Sequence, residues 1–407
     1  MVFCILLLAT AQAAPALTPP ATPNLDYTIS LTTPREEFNG EFCWFHPRAA
    51  AIPGAGKDGM PLVILTLQKH NMTADDYYSG IHVMKSADLG ATWTDPQLRP
   101  ELDWRHEPDG IVVGICDMTP GWHAPTKKLL LIGHTVRYRD GKLAEPNRSR
   151  ETPYSVYDPA ADTWTPWRIV DMPDKVKFYN SGAGCAQWLV ETSGTLLIPV
   201  YYEEQAAELK GCYSATVMRC EFDGTTLTYR EHGTELTLNV VRGLCEPSIT
   251  QFKGKYYLTI RNDERGYVTA GDDGLHFAPI TPWTFDDGSD LGSYNTQQHW
   301  VTHSEGLFLT YTRRGANNDD IFRHRAPLFI AQVDPEKLCV IRATERELLP
   351  NRGATYGNFG VSNITKDETW VTDAEGMFFP EVYKKYGAKG TVFAAKLKWS
   401  KPNEAVR

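Results

Sequence analysis

The chain reads as an all-β protein, a single β-propeller of six blades in preference to seven, on three observations. Short apolar runs alternate with turn residues from Leu25 almost to the C-terminus. These runs group in fours at the spacing of propeller blades. Glycine, proline and aromatic residues are plentiful (Gly 32, Pro 27, Tyr 19, Trp 11), which suits many short strands and turns, and no long stretch shows a helical period. Closing the strands into a ring also spares them exposed edges.

The first predicted unit takes Ala49–Pro53, Leu62–Gln68, Gly80–Lys85 and Thr92–Thr94. The second runs through Gly110–Cys116, Lys128–Val136, Tyr154–Tyr157 and Trp164–Arg168, and the third through Gly184–Val190, Thr195–Tyr202, Tyr213–Glu221 and Leu227–Tyr229. The fourth opens on two extended segments that meet at a Lys253-Gly254 turn, with Glu246 at the mouth of one and Arg261 at the end of the other, then adds Gly266–Thr269 and Phe277–Ile280. Gln298–His303, Leu307–Thr312, Leu328–Val333 and Val340–Ala343 make the fifth. Phe359–Ile364, Thr369–Thr372 and Thr391–Leu397 leave a sixth to be completed by the N-terminal Tyr27–Leu31.

With 407 residues, 42% hydrophobic and 22% charged, the chain can bury a large core. A net charge of −9 argues against a general nucleic-acid binder. Residues 1–13 hold an apolar run ending in Ala11-Gln12-Ala13, the pattern of a signal peptide, and residues 14–24 form a proline-rich lead-in before a single domain over 25–407. A secreted or periplasmic protein is expected. No later run is long and apolar enough for stable membrane insertion. Of the seven cysteines after the signal, Cys212 and Cys220 are near enough in sequence to suggest one hairpin disulfide.

Polar residues gather near the starts of the predicted inner strands: His46 and Arg48, Asp117, Glu246, Gln298 and His299, and Asn358. Loops at one end of a propeller converge on its central opening, so these groups can share a pocket. The sharpest short signal is Ser86-Ala87-Asp88-Leu89-Gly90-Ala91-Thr92-Trp93, in which an aspartate next to a glycine holds a tight turn and a tryptophan anchors the next strand.

That run resembles the aspartate box, S-x-D-x-G-x-x-W, of sialidases and related propellers. Glu246-Pro247-Ser248-Ile249, followed by Gly254 and Arg261, is similar to the sialidase segment carrying the glutamate partner of the nucleophile and one arginine of the carboxylate-binding triad. Arg48 resembles the first triad arginine and Arg325 the third, while Asp75 or Asp76 falls in the region of the acid/base aspartate. The resemblance implies an exo-acting glycoside hydrolase that releases a terminal carboxylate-bearing sugar, with no cofactor. One departure is plain: where sialidases place a nucleophilic tyrosine, this chain has Val361 within Gly357-Asn358-Phe359-Gly360-Val361-Ser362. Tyr356 and Tyr294 are the other tyrosines near that region.

The candidate catalytic groups are therefore Asp76 and Glu246, with His46, His123 and His134 supplying a rival, histidine-dependent route. Arg48, Arg261, Arg325, Asp117, Gln298 and His299 are the candidate substrate-binding groups, the arginines as bidentate donors to a carboxylate. A histidine or tyrosine near an arginine also fits a polysaccharide lyase acting on uronic acids, and a non-catalytic glycan-binding propeller is the third reading. No group of histidines and cysteines has the close spacing of a zinc motif, so no metal is predicted. The expected partner is an oligosaccharide or polysaccharide.

Overall fold

The computed structural model describes residues 25–144 and 149–406. The expected signal peptide and lead-in lie outside the described residues. Among the described residues the architecture is all-β, with one short α-helix, Pro380–Tyr386. The strands pair into separate sheets, each running outward from an innermost strand. The first sheet is Phe42–Ile52, Leu62–Asn71, His82–Ser86 and Gln97–Leu98. The second is built on Val112–His123, Lys128–Arg139 and Pro153–Asp158 with four short flanking strands. The third centres on Leu196–Glu203, Cys212–Phe222 and Leu227–His232. The fourth is Cys245–Phe252, Lys255–Arg261, Tyr267–Gly271 and Thr281–Pro282, and the fifth begins His299–His303, Gly306–Tyr311 and Leu328–Asp334. Gly360–Asn363, Glu368–Ala374 and Thr391–Trp399 form the last sheet, which the N-terminal strand Tyr27–Glu36 completes, Tyr27 opposite Trp399.

The expectation of a six-bladed propeller is overturned: the ring has five regular blades, those with an unbroken innermost strand. In the sheet centred on Leu196–Glu203 the innermost position is filled by two fragments, Asn180–Gly182 and Leu189–Val190, and the predicted inner strand Gly184–Val190 is mostly not a strand. A Cβ on Gly182 would meet His134 Cβ at 2.5 Å, and one on Gly184 would meet His134 Nδ1 at 2.3 Å. The missing side chains at Gly182 and Gly184 leave the room that His134 occupies. No seventh sheet exists among the described residues.

Two smaller expectations also change. The outer strand of the first sheet is Gln97–Leu98, because Ser86–Trp93 is spent on the turn before it. There Ser86 Oγ accepts from Gly90 N at 2.7 Å, and Asp88 accepts from Thr92 N and Oγ1 at 2.8 and 2.6 Å. These bonds, the Thr92 hydroxyl first, hold the Asp88 carboxyl down to about 2. The Cys212–Cys220 disulfide is ruled out. Both residues lie on the same extended strand, where eight residues span roughly 27 Å, and both thiols are free.

Apolar layers fill the gaps between neighbouring sheets. Ile52 and Ile64 meet Ile115 and Leu131 between the first two sheets, and Trp283 and Trp300 meet Tyr311 and Phe329 between the fourth and fifth. The buried indoles find acceptors, Trp283 on Thr259 Oγ1 and Trp300 on the Ser248 carbonyl, both at 2.9 Å. The Lys253-Gly254 turn forms as expected, with both residues at positive φ (48° and 83°), the conformation that matches the twist of a hairpin.

Candidate active site

Three innermost strands carry the same irregularity. Pairing slips between Phe45 and Arg48, between Cys116 and Thr119, and between Cys245 and Ser248. Each slip holds a non-glycine residue in the left-handed region: His46 at φ 52°, Asp117 at 53° and Glu246 at 49°. Cys185, after Gly184 in the broken inner strand, takes the same conformation at 56°. A regular strand would alternate these side chains between its faces. The bulge turns the extra residue toward the axis instead, which is how four separated stretches aim polar side chains at one point.

That point is the floor of a cavity of about 540 Å³. Asp117 is its hub. Oδ1 accepts from His46 Nε2 at 2.8 Å and from the Cys185 thiol at 2.8 Å, while Oδ2 lies 3.3 Å from His134 Nε2 and 3.6 Å from Cys116 Sγ. Burial alone would raise the Asp117 carboxyl, but His46 and His134 hold it well below the usual range. Burial pulls His134 down, against the opposing pull of Asp117, and its Nδ1 meets Tyr201 Oη at 3.1 Å. Burial, then the charges of Asp117 and Glu246, push the Cys185 thiol well up.

The lining is also basic. Arg261 donates to Glu246 at 2.5 Å and to Asp263 at 3.0 Å. Arg325 donates to the Asn295 carbonyl, yet its buried Nε has no partner among the described residues. Burial and the adjacent Arg261 and Arg323 lower the Arg325 guanidinium to about 10. Arg150 faces the rings of Tyr201 and Tyr213 at 5.9 and 5.7 Å, and Arg242 leaves its buried Nε unpaired. Asp76 sits exposed on the loop after Leu62–Asn71, accepting from Tyr78 Oη at 2.9 Å. At the rim, the exposed rings of Phe322 and Phe379 lie 4.9 Å apart.

Comparison with known proteins finds no matching family model and no matching curated sequence. Solved structures do match. A protein of unknown function from Dyadobacter fermentans aligns over 93% of this chain and 100% of its own, at 14% identity and a TM-score of 0.59. Trypanosoma rangeli sialidase bound to the inhibitor DANA aligns over 92% of this chain at 15% identity and a TM-score of 0.58, with 60% of the sialidase covered. The Hadza microbial sialidase Hz136 gives 12% identity and a TM-score of 0.60, over 88% of this chain and 66% of the other. The fold is sialidase-like. This chain thus spans about three fifths of the Trypanosoma enzyme, and at such identities the likeness is one of fold.

Within this sialidase-like scaffold the predicted residues separate into two groups. Asp76, Glu246, His46, His134, Asp117, Arg261 and Arg325 all line the cavity. His123 does not: it sits at the far end of its strand, bonded to Thr126 Oγ1 and the Gly194 carbonyl, both at 2.8 Å. Arg48, 1% exposed, lies beneath the floor, held by Gln297 Oε1 at 3.1 Å and 3.7 Å from Asp117. His299 is packed in the core against Ser248 Oγ at 2.8 Å and Phe359, and burial draws it down to about 3. Gln298 is spent on Ser293 and Thr296. Val361 packs partly buried beside the apolar layer of the last two sheets. Tyr356 donates to the Pro350 carbonyl and Tyr294 pairs with His324, and neither lines the cavity.

Sequence reasoning missed Tyr201, Tyr78, Arg150 and Arg242 as cavity residues. Cys116 and Cys185 line it too, and the shared placement of Cys185 with His46, Asp117 and Glu246 in the strand starts was the available signal. Against the expectation of no metal group, Cys116, Asp117 and His134 bring three donor atoms within 4.8 Å of one another. Among the described residues no helix is long and apolar enough to cross a membrane.

Proposed function

We propose that the cavity is the active site of an exo-acting glycoside hydrolase that releases a terminal carboxylate-bearing sugar from glycans. The observation that carries this reading is that one 540 Å³ cavity gathers Arg150, Arg242, Arg261 and Arg325 together with Asp76, Asp117, Glu246, His46 and His134. Arg261 and Arg325, with Arg150 and Arg242 in the same lining, offer a sugar carboxylate charge-assisted hydrogen bonds. In this reading the exposed Asp76, on a loop that lines the cavity, donates the proton to the glycosidic oxygen. Glu246, paired with Arg261, faces the charge that develops on the sugar ring. With Val361 in the last sheet no tyrosine hydroxyl enters from that side, so the mechanism departs from that of a conventional sialidase.

A second reading rests on a specific contact. Tyr201 Oη bonds to His134 Nδ1 and lies beside Arg150, a tyrosine–histidine–arginine set suited to removing the acidic proton next to a uronic acid carboxylate. Product analysis on a panel of acidic oligosaccharides separates the two. A released sugar with water added, lost in Glu246→Gln by about a hundredfold or more, supports hydrolysis. An unsaturated, ultraviolet-absorbing product supports elimination and moves the chemistry to Tyr201. Binding without turnover of any substrate in the panel refutes both and leaves a glycan-binding propeller.

A further inference from the structure

We propose that Cys116, Asp117 and His134 form a binding site for a divalent transition ion of the zinc class, with its remaining coordination position open to the cavity. The inference is independent of the glycan reading.

The site begins with a backbone anomaly. Cys116 and Asp117 are neighbours on one strand, and regular pleating would send their side chains to opposite faces. The pairing slip after Cys116, with Asp117 at φ 53°, brings both to the same side. His134 comes from the partner strand directly opposite Cys116 in the ladder. Its Nε2 lies 2.8 Å from Cys116 Sγ and 3.3 Å from Asp117 Oδ2, and Sγ is 3.6 Å from that same oxygen. Ligands about 2.0–2.3 Å from a tetrahedral ion stand roughly 3.3–3.7 Å apart. Two of the three separations already have that value, and the third requires an opening of well under 1 Å.

The surroundings prepare the ligands for this work. Asp117 divides its oxygens: Oδ1 takes the His46 and Cys185 donors, leaving Oδ2 to face Cys116 and His134. His134 must present a bare Nε2 to ligate, which requires the proton on Nδ1, and Tyr201 Oη stands 3.1 Å from Nδ1 to accept it. Outer hydrogen bonds of this type orient metal ligands and fix their tautomers. A thiolate and a carboxylate neutralise a divalent ion, so the loaded floor carries no net charge into a site already crowded with arginines. One sulfur, one nitrogen and one oxygen donor suit zinc or cobalt, whereas calcium and magnesium prefer oxygen alone. All three residues line the cavity, so the open position faces whatever enters it.

The test is a titration of the chelator-treated, reduced protein with Co²⁺, followed by displacement with Zn²⁺. One equivalent of Co²⁺ should produce a thiolate-to-cobalt charge-transfer band, which Zn²⁺ removes and which Cys116→Ser abolishes while Cys220→Ser leaves it intact. Cys116→Ser should also weaken binding by about ten- to a hundredfold or more. Circular dichroism confirms that each variant folds, and a variant-free measurement stands behind it: zinc-edge X-ray absorption of the loaded wild-type protein should give one sulfur at about 2.3 Å and nitrogen or oxygen near 2.0–2.1 Å. A band that survives Cys116→Ser, a shell without sulfur, or no stoichiometric binding overturns the proposal.

Discussion

At the residue scale, burial sorts the arginines that sequence alone treats alike. Arg261 and Arg325 face the cavity, but Arg48 is sealed beneath it with one guanidinium nitrogen, Nη1, unpaired. Removing Arg48 strands Gln297 and takes a positive charge from beside the buried Asp117, the kind of loss that costs about 3–5 kcal/mol. Arg325→Ala opens only a polar gap at the wall. The two variants should therefore differ in kind. Arg325→Ala is expected to raise KM for an acidic substrate about tenfold or more, with a near-wild-type urea midpoint. Arg48→Ala should lose several kcal/mol of stability first. Equal stability of the two variants in urea denaturation would overturn this division. The run Glu246 to Arg261 was legible because both charges flank a hairpin whose turn is written in Lys253-Gly254. Arg48 was legible as an arginine near the axis, but its depth was not, since depth depends on Gln297 and Phe359 from sheets far away in sequence.

At the element scale, the strand alternation and turn residues revealed the long strands of each sheet, because period-2 patterning and glycine turns are local signals, but not short outer strands such as Thr281–Pro282, which lies just beyond the expected Phe277–Ile280. The broken inner strand was not legible. Its apolar and small residues from Gly184 to Val190 read as a strand, and the approach of His134 from another sheet, into room that only glycine leaves at Gly184, carries no local signal. The bulges escaped for the same reason: a single extra residue leaves no mark on alternation, yet it decides that His46, Asp117 and Glu246 point inward. Gly184→Ala tests the connection between this element and the site. Its Cβ would land 2.3 Å from His134 Nδ1, so the ring must move or the strand must bend. An overpacking cost of about 1–3 kcal/mol is expected, together with loss of activity through the displaced His134. An alanine variant with wild-type stability and turnover would show that the broken strand has no bearing on the site.

At the scale of the whole molecule, the buried histidines and one buried acid set how stability responds to pH. Burial lowers His70 to about 4 and His299 to about 3, each below the value of about 6.5 in an unfolded chain. Below that value the unfolded chain binds protons that the native protein refuses, so these groups contribute stability that is lost as pH falls. Asp373 acts oppositely. Burial raises it to about 7, against the backbone donors Gly357 and Ala374, so the native protein keeps a proton that the unfolded chain has released above about 4. Its contribution is greatest in acid and is lost as pH rises toward 7. Near pH 5 each group shifts stability by about 1.4 kcal/mol per pH unit. Two histidines outweigh one aspartate, and His134 and His82, also lowered by burial, act in the histidines' direction. The protein should therefore lose at least about 1.4 kcal/mol per unit on acidification through pH 5, measured by urea unfolding at pH 4.5, 5 and 5.5. Asp373→Asn removes the opposing group and should steepen that slope by about 1.4 kcal/mol per unit, whatever it does to stability at any single pH. The slope is the informative quantity, since the amide also disturbs the two backbone hydrogen bonds equally at every pH. A variant with an unchanged slope would mean that Asp373 is ionised in the native protein, and that the backbone donors and the nearby Arg48 win over burial.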